Sequence, residues 1–190
     1  MIFVIFLCAL FLVSAGSIYH RKSAMRRLYK CDWNELCRQL EPIPKMTVAQ
    51  IGDEYLNPRS NQLGPEPVDI WLELGGLEGL HRMRQNARIL IALAAYAENW
   101  NFTESVIVKE RMRQDARHLR NAAFQITARL LLQAGKVRLA FHLQESVASY
   151  HLMTKRLLML YQTSHSGLYP RLVQALGDGS PPQEFVPSQG

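Results

Sequence analysis

Apolar positions in this chain recur mostly at steps of three and four, the spacing that lines one face of a helix. Ile70, Leu74, Leu77, Leu80, Met83, Ala87, Leu90 and Ala94 hold that step and predict a long packed helix over residues 68–99. Within it residues 89–97 are apolar throughout; that run is too short to span a bilayer and reads as the buried centre of the fold. Met112, Ala116, Leu119, Ala123, Ile126 and Leu130 predict a second helix, capped by Asn101 or Thr103 and closed by Gly135. Ala140, Leu143, Val147, Tyr150, Leu157 and Tyr161 predict a third over residues 137–163, which Gly167, Leu168 and Pro170 stop.

Shorter elements surround these. Leu28, Trp33, Leu36 and Leu40 tolerate a helix that Pro42 and Pro44 end. Thr47 and Gln50 have capping-box spacing ahead of a helix over residues 48–56. Pro58 stops that helix, and the proline-rich residues 58–67 form a loop. The pattern allows a short helix over residues 170–176. The adjacent Gly75 and Gly76 weaken the first long helix by about 1 kcal/mol each, and a break there splits it into 68–74 and 77–99. No segment sustains strand alternation and no repeat is present. The predicted fold class is therefore all-α: an antiparallel bundle of three long helices plus short helices, preceded by one N-terminal transmembrane helix.

That preceding helix is residues 1–19, which carry no charged side chain. As a helix they extend about 28 Å, close to the hydrocarbon thickness of a bilayer. A signal peptide is the rival reading. It wants positive charge before the apolar run, whereas here the charge follows it, which predicts a retained single-pass anchor with the bulk of the chain on the cytoplasmic side. If the segment is instead cleaved, the domain is exported. The predicted organisation is an anchor at 1–19, a basic juxtamembrane segment at 20–45, the helical bundle at 46–176 and a disordered tail at 177–190.

Charge changes this picture only locally. The net charge is +6, but Arg21, Lys22, Arg26, Arg27 and Lys30 fall within ten residues. Without them 17 basic residues face 16 acidic ones, so the excess belongs beside the apolar segment, where it meets anionic lipid. A nucleic-acid surface would need the bias on the folded part, and no nucleic-acid partner is expected. Cys8, Cys31 and Cys37 are too few for a disulfide framework and read as free thiols.

Candidate chemistry is sparse. Glu78 and His81 form a Glu-x-x-His pair on a helix, the spacing that di-iron bundles use in duplicate. The second copy is missing, because Glu145 and His151 are six residues apart; His142, Glu145 and His151 are the remaining groups that could complete a metal site. The ordinary reading of His81 is a hydrogen-bonded histidine at the edge of the core. Arg113, Arg117 and Arg120 form a basic stripe fit for phosphate, anionic lipid or an acidic partner. Tyr150, His151, Tyr161, His165 and Tyr169 gather toward the end of the third helix and could line a bundle-end pocket. Asn101 to Thr103 matches a glycosylation sequon but reads first as a helix start.

The sequence thus points to a membrane-tethered helical protein-interaction or scaffold module without catalytic activity, with no cofactor. Its partner is another protein or a second copy, met through Arg113, Arg117, Arg120, Tyr161, His165 and Tyr169. The alternatives are a metal-dependent helical-bundle enzyme built on Glu78, His81, His142, Glu145 and His151, or a carrier of lipid or another small molecule.

Overall fold

The computed structural model describes residues 23, 25–57, 67–132 and 136–178. The expected anchor at 1–19, Arg21 and Lys22, Cys8, the loop from Pro58 to residue 66, Gly135 and the tail beyond Asp178 lie outside the described residues. Among the described residues every regular element is helical and there is no strand. No described helix is long and apolar enough to cross a membrane.

A helical turn at residues 25–28 leads into α1 (Trp33–Arg38) and α2 (Lys45–Leu56). These are followed by α3 (Pro67–Glu73), α4 (Gly76–Tyr96) and, after a 3-10 turn at Ala97–Asn99, α5 (Phe102–Leu131). The chain then returns through α6 (Lys136–Ser164) and closes with α7 (Tyr169–Asp178). The two longest helices pack along each other, and α4 lies against both. Position 115 on α5 meets position 156 on α6, and position 118 approaches 145, so the pair runs antiparallel as its short connection requires.

The predicted stripes form the core. Met83, Leu90, Leu93, Met112, Leu119, Ile126, Leu143 and Leu157 are fully enclosed, each side chain contributing roughly 1.5–3 kcal/mol on leaving water. Residues 89–94 are all buried, so α4 is the central helix that its apolar run predicts.

The glycine pair does break the first long helix. Gly75 and Gly76 adopt φ of 76° and 64°, the left-handed region that only glycine enters without strain. The corner is tight: a Cβ on Gly79 would lie 1.7 Å from the carbonyl oxygen of Leu74. Leu77, placed by its spacing on the core line, lies beyond this corner and is 48% exposed. Leu130 also leaves the line, near the exposed end of α5.

Caps hold as expected at one site and not at another. The Asn101 side chain accepts from the amide of Glu104 at 3.2 Å and starts α5. Thr47, by contrast, makes no capping box. Helix α2 begins earlier, at Lys45 behind Pro44, so Thr47 is already helical; its hydroxyl donates to Glu73 Oε2 at 2.8 Å and ties α2 to α3.

The short elements are part of the bundle. Asp32 caps α1, which buries Trp33, Leu36 and Cys37. Arg171 of α7 donates to Asn34 Oδ1 at 3.0 Å and stands over the Trp33 ring at 5.3 Å, joining the last helix to the first. Against α6, α2 approaches so closely that a Cβ on Gly52 would lie 2.6 Å from the His151 side chain.

Candidate functional site: an arginine-lined groove

On α5, Arg113, Arg117 and Arg120 follow steps of four and three and share one face, as the stripe predicts. Across from them α4 carries Arg84 and Arg88, one turn apart, and the five arginines line one groove of about 230 Å³. Its floor is apolar: Ala87, Ile91 and Leu119 are buried, and Met25 closes it from the turn at 25–28. No carboxylate is among its described lining residues.

The nearest acid on α5 is Glu110. Its carboxylate takes Arg113 at 3.1 Å and Arg117 at 3.9 Å. Arg113 also donates to the Tyr29 hydroxyl at 3.5 Å; this bond, against the opposing effect of burial and together with Glu110, holds the guanidinium above its ordinary range. Arg88 is shared with a second hollow that Arg27, Gln39 and Gln85 help to line. Arg26, Arg27 and Lys30 are exposed beside it. Positive charge therefore continues from the groove onto the segment that follows the apolar N-terminal residues.

The other predicted site residues separate. Glu78 is paired with Arg82 on the same helix face, and His81 is exposed. His142 Nδ1 lies 3.3 Å from Glu145 Oε2, while His151 turns to Asp53 of α2 at 3.2 Å. The five groups expected for a metal are thus not brought together, and among the described residues no group of three His, Cys, Asp or Glu side chains could hold one. His118, which the spacing does not single out, approaches Glu145 at 4.0 Å.

Tyr161 is corrected outright. Expected at a partner surface, it is fully buried: its hydroxyl donates to the Leu93 carbonyl at 2.9 Å and accepts from Trp33 Nε1 at 3.1 Å. Burial raises this phenol well above its ordinary value. His165 is committed locally, its ring tilted against Trp100 with centroids 4.6 Å apart and accepting from the Leu168 amide at 3.2 Å. Tyr169 is half-buried against the core. Only the arginine part of the expected contact surface remains open.

Arg84 and Arg88 are the site residues that the sequence reading misses. Their i, i+4 spacing is visible in the chain, but which helix faces α5 is not. Comparison with known proteins returns no family model, no curated protein and no solved structure that matches this chain.

Proposed function

We propose that this chain is a membrane-tethered helical interaction module that docks an acidic protein segment in its arginine groove. The observation that carries the reading is the convergence of Arg84, Arg88, Arg113, Arg117 and Arg120 from two helices over one apolar floor. Such a groove matches an amphipathic segment with acidic edges. Its apolar face meets Met25 and Ala116, its carboxylates meet guanidinium forks bidentately, and the positive field speeds encounter. The uncharged residues 1–19 and the basic residues that follow support a retained anchor, with the domain on the cytoplasmic side. The module needs no cofactor and no catalytic group in this reading.

The test uses the full chain in its membrane, with a photo-crosslinking residue in place of Arg120. A crosslink should map to an acidic segment of a partner and fade as salt is raised. Arg88→Glu with Arg117→Glu should reduce it at least tenfold, equivalent to about 1.4 kcal/mol, with unchanged helical content. Crosslinks that persist in the double variant would refute the protein-docking reading. Crosslinks to lipid alone would make the groove a headgroup site instead.

A further inference from the structure

We infer a second, independent site: a pocket between α2, α6 and α7 that takes a single-chain amphiphile with a carboxylate head. The cavity holds about 310 Å³, within the range of small-ligand pockets and suited to a medium-length acyl chain rather than a whole phospholipid. Leu40, Ile43, Val48, Ala49, Leu158 and Leu176 supply an apolar wall.

The deep end is polar but satisfied. Asn86 Oδ1 accepts from the Glu41 amide at 2.9 Å, and its Nδ2 donates to the Glu41 carbonyl at 2.7 Å and to the Tyr150 hydroxyl at 3.2 Å. This amide has no unmet bond to offer a ligand head, so the floor receives hydrocarbon.

The charges stand at the other side. Lys45 and Lys155 line the pocket with Asp53, whose carboxylate lies 3.8 Å from Lys155 Nζ and 3.2 Å from His151. The remaining lining acid, Glu41, is held by Arg82 at 3.7 Å. Asp53 is thus engaged by Lys155 and His151, and Lys45 is the lining cation without an ion-pair partner among the described residues, a charge that a monocarboxylate neutralises. Hydrocarbon inward and carboxylate outward places the head beside the lysines and the chain against the apolar wall.

The test is photoaffinity labelling of the full chain in lipid nanodiscs with a diazirine-bearing decanoate. Adducts should map to α2 and α6 around Val48 and Leu158, and excess decanoate should displace them at least tenfold better than decanol. Lys155→Gln, at a side chain 58% exposed, should cut labelling several-fold without touching the fold. Ala49→Trp should abolish labelling by filling the cavity, with the circular dichroism spectrum as its folding control. Arg88→Glu should leave labelling intact, which separates this pocket from the arginine groove. Labelling spread evenly over the chain, unchanged by Lys155→Gln, or displaced equally by decanol would overturn the assignment.

Discussion

A buried amide is tolerable only when its donors and its acceptor are all engaged, and Asn86, 1% exposed, meets that condition against one backbone unit and one phenol. Removing it strands the Glu41 amide and carbonyl where water enters poorly. Asn86→Ala should therefore cost about 2–3 kcal/mol in urea unfolding; a loss below half a kilocalorie would show that solvent replaces the side chain. Nothing in the sequence marks Asn86, because a polar residue inside a helical stripe looks like a solvent-facing one until its neighbour across the bundle is known. Tyr161 teaches the converse. Its place in the core line was legible from spacing, and that line decides its environment; the gathering of tyrosines and histidines around it does not.

The corner between α3 and α4 depends on glycine in two distinct ways. At Gly75 the demand is dihedral: φ is 76° with open space around the missing Cβ, so Gly75→Ala should lower stability by only about 1–2 kcal/mol. At Gly79 the demand is spatial, since a methyl group would overlap the Leu74 backbone. Gly79→Ala should be clearly the worse of the two by thermal melting, and equal melting points would refute this account of the corner. The break itself was legible in the adjacent glycines, and so were all three long helices, because their apolar spacing is regular. The displacement of Leu77 was not, since spacing is continuous across a corner that the backbone is not. Pairing of Thr47 with Glu73 was equally hidden, because a threonine three residues before a glutamine looks the same whether it stands at a cap or one turn inside.

For the molecule as a whole, the core encloses groups that ionise in base. Burial pushes the Tyr150 hydroxyl from its ordinary 10.0 up to about 12. Burial likewise pushes the Cys37 thiol from 9.0 to about 12, with Arg171 opposing and Asp32 adding to the shift. Both folded values exceed the unfolded ones, so above about pH 9 the unfolded chain releases protons that the native state retains. Stability is therefore complete below pH 9 and declines between pH 9 and 12, by up to about 1.4 kcal/mol per pH unit for each group. Urea titrations at pH 8 and pH 10.5 should show the fall, and Cys37→Ala should shift its onset upward; a flat profile would contradict the burial of these groups. The bundle as a class was legible from periodicity, whereas the arginine groove needed two helices set face to face, which no single stretch of sequence records. The enclosure of Cys37 has one more consequence. Cys31, six residues earlier, is partly open to solvent, so an alkylating reagent meets one thiol at once and the other only when α1 lifts away from Trp33's seat in the core. The ratio of the two labelling rates is then a clock for that lifting. It times, in the intact chain, how often the first short helix lets go of the bundle.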